Sequence, residues 1–241
     1  MNLIQDRMFQ GETLRAPGAF ENIRFERCLF SQCKIGATTY AGWRVHLRNI
    51  QIVDCSSLVM SRTGPVIAED CLIDGLHTDD YITALSQPLL RHVTLRGRIG
   101  NFGISDSPVL PISAQSKREY EALKAALTAE KNAFYNTVDW ALDIREAEAE
   151  YINVHGIPLD LIRRDPEAQM IVPRQKMEDP EWEQRLSPEN VWTSFLRGCC
   201  GSAPTETEFL LVAPKNCPPR KGRQYLRDLH ELRDKGFTKA D

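Results

Sequence analysis

The chain has 241 residues, a formal net charge of −3 and a sequence pI near 6.0, with 42% apolar and 26% charged residues. That is the composition of a folded globular protein, long enough for one large or two small domains, and it gives no general attraction to nucleic acid or anionic membrane. No apolar run reaches the ~18 residues of a transmembrane helix, and the first residues, with Asp6, Arg7, Glu12 and Arg15, lack the apolar stretch of a secretory signal, so a cytoplasmic location is expected.

From Phe20 the sequence repeats in fives: Phe20, Phe25, Phe30, Ile35 and Tyr40. Ile23, Cys28 and Cys33 stand two places before three of them. Neither a helical period of ~3.6 nor a strand period of 2 gives this spacing. A longer period lies on top of it. Cys28-x-Phe30, Ile50-x-Ile52, Cys71-x-Ile73 and Val93-x-Leu95 are apolar triplets whose first members lie 22, 21 and 22 residues apart. Each triplet is expected to be a short strand stacked on the equivalent strand of the next turn, in the manner of repeat proteins that bury their inward row only against neighbours.

This pattern, a small residue followed two places later by Phe or Leu in fives, resembles the pentapeptide-repeat family. The resemblance runs over residues 1–112 and implies a right-handed, four-sided parallel β-helix of about four coils. It also suggests a bacterial source and implies nothing about activity, because the family is a scaffold class. Cys28, Cys33, Cys55 and Cys71 are expected to act as small hydrophobes in the interior. The seven cysteines, with no C-x-x-C pair, give neither a disulfide framework nor zinc-ligand spacing. Some family members imitate DNA, but residues 1–112 hold 11 acidic and 11 basic side chains, so a DNA mimic is not expected.

Ser107-Pro108 and Pro111 end the repeat. Residues 113–241 are expected to be α+β. Ser116 to Glu119 forms a capping box, and apolar residues from Tyr120 to Ala141 predict a helix over 116–141 that packs on an end or side of the solenoid. Tyr151–Val154 and Met170–Val172 read as strands, with a short helix from Pro158 to Arg164 between them. They form either a further coil or a small α/β unit. Ser187-Pro188 predicts a helix that Gly198 ends, Phe209–Val212 a buried strand, and Gly222–Lys235 a last helix closed by Gly236.

The thiols of Cys199 and Cys200 are the candidates for nucleophilic chemistry, with His155 or His230 as a base. Their expected place beyond a helix C-terminus disfavours a thiolate. Asp79 and Asp80, with Asp70 and Asp74 on the preceding coil, and the basic Arg91, His92, Arg96 and Arg98 are candidate binding residues; Arg163-Arg164 is a further basic pair. G-x-x-x-x-G-K-S/T, G-x-G-x-x-G and H-E-x-x-H are missing, so no cofactor and no metal is expected. The expected function is non-catalytic binding of another protein, an immunity-like inhibitor being a special case by analogy. The alternatives are a thiol enzyme with its site between the two halves, and a self-assembling scaffold.

Overall fold

In the computed structural model, residues 1–14, 18–35, 44–58, 62–79, 83–106, 116–202 and 207–239 are described. Tyr40, Asp80 and the Ser107–Pro111 segment lie outside them. The chain divides into two compact units, Met1–Arg163 and Arg164–Asp241, rather than near residue 112. The first is mostly parallel β-sheet and the second is α/β.

The parallel sheet of the first unit is laid down in successive passes of the chain. The first pass holds β1 (Asn2–Gln5), β2 (Met8–Gln10) and β3 (Thr13–Leu14), and the second β4 (Gly18–Glu26), β5 (Leu29–Ser31) and β6 (Lys34–Ile35). The third has β7 (Val45–Leu58) and β8 (Arg62–Thr63), and the fourth β9 (Val66–Glu69), β10 (Leu72–Thr78) and β11 (Thr83–Ser86). β12 (Leu89–Arg91) and β13 (Val93–Ser105) form the fifth. Each pass pairs in parallel with its neighbours: Ile4 lies opposite Phe25, Phe25 opposite Ile52, Ile52 opposite Ile73 and Ile73 opposite Leu95. The triplets from Ile50 onward therefore stack as their spacing predicts. The first does not: Ile23-x-Phe25, not Cys28-x-Phe30, lies beside Ile50-x-Ile52, and Leu29 pairs with Ser56. Extra chain between Ile35 and Val45 lengthens that one pass and displaces the count.

Left-handed backbone recurs every five residues within a pass. It is found at Asn22, Arg27 and Gln32, at Asn49 and Asp54, at Asp70 and Gly75, and at Gln87, His92 and Gly97. Arg27, Gln32, Asp70, Gln87 and His92 lie between strands, and Asn22, Asn49, Asp54, Gly75 and Gly97 interrupt β4, β7, β10 and β13. Asn and Asp tolerate this region better than most side chains. At Gly75 and Gly97 a Cβ would stand 2.9 Å from a carboxylate oxygen of Asp54 and Asp74, so a larger residue there would have to displace that side chain, and glycine takes the left-handed conformation with least strain.

α1 (Lys117–Tyr135) begins with the expected capping box, Ser116 accepting from the Glu119 amide and Glu119 from the Ser116 amide. It is shorter than the predicted 116–141, because the chain leaves the helix at Asn136. Val138 and Ala141 are then buried beyond it. The helix lies against β12, where the Leu90 amide donates to the Tyr135 hydroxyl at 3.4 Å. It thus serves an edge group that a strand of the next pass would otherwise serve. Arg44, almost wholly buried, donates twice to Glu130 at 2.9 Å and so fixes α1 to the third pass.

After α1 the chain returns to the sheet. β14 (Leu142–Asp143) and β15 (Ala147–Val154) pair with β13, and β16 (Ile162–Arg163) pairs with β14. The parallel stack therefore holds five passes before the helix and part of a sixth and seventh after it, more than the four expected. The Pro158–Arg164 stretch gives only a 3₁₀ turn, Leu159–Leu161, before β16.

The second unit pairs β17 (Gln169–Pro173) with β18 (Glu208–Val212) antiparallel and packs α2 (Val191–Ser202) and α3 (Pro219–Asp234) around one apolar core. Trp182, Trp192, Leu196, Leu211, Leu229, Leu232 and Phe237 lie in it. α2 starts later than Ser187-Pro188 suggests, because Asn190 caps it: its side-chain oxygen accepts from the Trp192 amide, and buried Asp228 accepts from the Val191 amide. It also continues past Gly198. Among the described residues no helix is long and apolar enough to cross a membrane.

Candidate functional site

Most of the charged candidates are committed to neighbours in the stack. One outward row alternates in sign, Glu21, Arg48, Glu69 and Arg91, and joins by ion pairs of 3.1, 3.0 and 3.0 Å. Arg91 also donates to Thr137 and lies over the Phe134 ring. Arg96 pairs with Asp74 at 2.8 Å. Arg98 is exposed opposite Glu148 of β15. Asp79 is half-buried and has a partner of its own, and Asp80 lies outside the described residues.

The adjoining corner row is Asn22, Asn49, Asp70 and His92. Asn49 donates to Asn22 at 2.7 Å, and His92 sits between Asp70 at 3.1 Å and Asp139 at 2.7 Å. The bond to Asp139 raises the His92 pKa above its ordinary value, burial opposes the rise, and the bond to Asp70 adds to it. His92 also packs on Trp140, over which Arg163 lies at 4.2 Å. Arg164, in the second unit, donates to the Gln169 carbonyl.

The thiol candidates sit inside α2 rather than beyond it. Cys199 is buried in the core of the second unit. Cys200 packs with its sulfur 3.9 Å from that of Met177, while its carbonyl accepts from Arg174. His230 in the same unit bonds the Glu167 carbonyl at 2.9 Å, and His155 belongs to the first unit, where its amide donates to Ile104. The inner cysteines are packed as small side chains. Cys28, Cys55 and Cys71 are buried, and their thiols donate to main-chain carbonyls, Cys55 to Val53 at 3.3 Å and Cys71 to Glu69 at 3.2 Å. Burial raises the pKa of Cys55 and Cys71.

Two further features of the first unit bear on binding. One is the outer edge of β1, β2 and β3. Each of these strands is bonded on one side, to β4, β5 and β6, and among the described residues no strand pairs with the other. Met1, Leu3 and Met8 stand around it, 56%, 54% and 63% exposed. The other is an apolar cavity of about 450 Å³ running inside the stack from Ile4 of the first pass to Leu142 of the sixth. Its lining is apolar apart from Glu12, Lys34 and Ser57. Near the first pass the wall is half-buried and aromatic, with Phe9 stacked on Phe30 at 5.3 Å and Phe25 edge-on to both. Deeper in, Leu95, Ile104 and Leu142 are buried. The signal for the first pass was present in the sequence: Ile4, Phe9 and Leu14 are also five apart. Phase is lost after Leu14, because Ala19 stands where the fourth member would fall.

No family model, no curated protein and no solved structure matches the chain. The likeness to pentapeptide repeats therefore rests on the five-residue spacing of the sequence.

Proposed function

We propose that residues 1–163 form a right-handed β-solenoid of the pentapeptide kind and that the protein is a non-catalytic binding module for another protein. It docks an extended strand of that partner on the outer edge of β1, β2 and β3. The parallel ladders, the inward apolar rows and the corners five residues apart support the solenoid. Its hand follows from the strong preference of parallel crossovers for the right-handed sense.

The observation that carries the binding reading is the uncovered first-pass edge with exposed Met1, Leu3 and Met8 beside it. An open row of amides and carbonyls is a template for an added strand, whose main chain supplies affinity and whose alternate side chains supply specificity. The paired charges of the lateral face make that face a poorer anchor, because a partner would have to displace bonds already made. All seven cysteines are unbridged, which supports a reducing compartment such as the cytosol.

The test is capture from native lysate with the tag at the C-terminus. It compares the wild type with Leu3→Asp/Met8→Asp and with Arg98→Ala. A stoichiometric protein retained by the wild type and Arg98→Ala but lost by the edge variant is expected. Equal retention by all three, or none by any, would overturn the reading.

A further inference from the structure

We infer that the cavity within the first unit is a binding site for one long-chain fatty acid, inserted tail-first from the first-pass end with its carboxylate at Lys34. Shape sets the first constraint. Ile4, Phe25, Ile52, Ile73 and Leu95 form one inward row through five passes and all line the cavity. At a spacing of ~4.8 Å per strand the row spans roughly 19 Å, about the extended length of a palmitoyl chain. The volume of about 450 Å³ lies within the range of small-molecule sites.

Chemistry sets the second. The main-chain donors and acceptors along the wall are used in the strand ladders, and Ser57 is the one polar side chain deep in the lining. A peptide, a sugar or a nucleotide would leave its own polar groups without partners there. Water has too few partners to fill an apolar space of this kind. A hydrocarbon chain meets neither objection.

Polarity sets the orientation. Leu95, Ile104 and Leu142 at the inner end are buried, while Ile4, Phe9 and Phe25 toward the first pass, like Ile52 and Ile73 between, are half-buried, so the charged groups of the lining decide the direction. Lys34 of β6 and Glu12, just before β3, reach the lining toward the first pass, where the Lys34 amide donates to the Glu12 carbonyl at 2.9 Å. Among the described residues no carboxylate pairs with the exposed Lys34 ammonium, which is therefore the group left to meet an anionic head.

This site uses the interior of the stack, whereas the docking reading uses its outer edge, so each can fail alone. The experiment titrates the delipidated full chain with cis-parinarate, displaces the probe with palmitate, octanoate or hexadecanol, and counts bound chains by native mass spectrometry. One palmitate per chain is expected, with octanoate at least tenfold weaker. Lys34→Glu, an exposed substitution that leaves the core intact, should weaken palmitate at least fivefold and hexadecanol less than twofold. Ile4→Trp, at the half-buried mouth, should weaken both. No saturable one-to-one binding of palmitate overturns the proposal, as does palmitate affinity unchanged in both variants.

Discussion

Cys55 and Cys71 are held by burial with their thiols bonded to carbonyls, and burial raises the pKa of each. A raised thiol pKa means less thiolate, the nucleophilic form, at any given pH. Timed alkylation at pH 8, read by peptide mass, should therefore modify Cys33, Cys200 and Cys217 well before Cys55 and Cys71. All seven should react once the chain is unfolded. Rapid labelling of Cys55 in the folded protein would contradict the packing described.

His92 gives the second prediction at this scale. Asp139 raises its pKa in the folded state, so the folded chain binds this proton more tightly than the unfolded chain does. The stabilisation is complete below the unfolded pKa of ~6.5 and is lost as pH rises through the folded value. Thermal midpoints should fall across that window from acid to alkaline pH, and Asp139→Asn should flatten the dependence. A wild-type midpoint that rises over this range would speak against the His92–Asp139 bond.

Among the elements, α1 depends on one buried charge. Arg44 is covered, and Glu130 supplies its counter-charge through two hydrogen bonds. Removing one partner of such a pair is costly, whereas replacing both by apolar groups is often close to neutral. Glu130→Ala should lower stability by about 3 kcal/mol in urea titration. Arg44→Met/Glu130→Leu should recover much of that loss. In the second unit the start of α2 is held by Asn190 and Asp228, so Asn190→Ala should cost about 1 kcal/mol or more, since it also breaks a bond to Glu231.

The elements also mark what the sequence made legible. The capping box at Ser116 is a local chemical signature, and the helix starts there as predicted. Its far end was misplaced because Val138 and Ala141 continue an apolar pattern while serving a different structure, the return to the sheet at β14. Periodicity reports that a residue is buried and not what it is buried against. The N-terminus of α2 was missed for a related reason, since Asn190 works together with Asp228, a residue far along the chain.

For the whole molecule, the five-residue spacing revealed the repeat and the inward row, and it lost count where the chain between Ile35 and Val45 lengthens one pass. The further passes after α1 were not decided by sequence: Leu142, Ala147, Ile152, Ile157 and Ile162 are five apart and buried, but α1 separates them from the earlier repeat and the run reads as mixed strand and helix. Arg91 and Arg96 read as free positive charge in the sequence, and only the register shows that Glu69 and Asp74 neutralise them. Which end of the stack keeps an unpaired edge was not legible for the same reason: exposure of a strand edge depends on what stacks beside it.

That edge is the central claim, and amide hydrogen exchange of the isolated full chain tests it most directly. Amides of β1, β2 and β3 should exchange orders of magnitude faster than those of β10 and β13, which are bonded on both sides. First-pass amides protected as strongly as those of β10 would mean that the edge is already covered, and would contradict it.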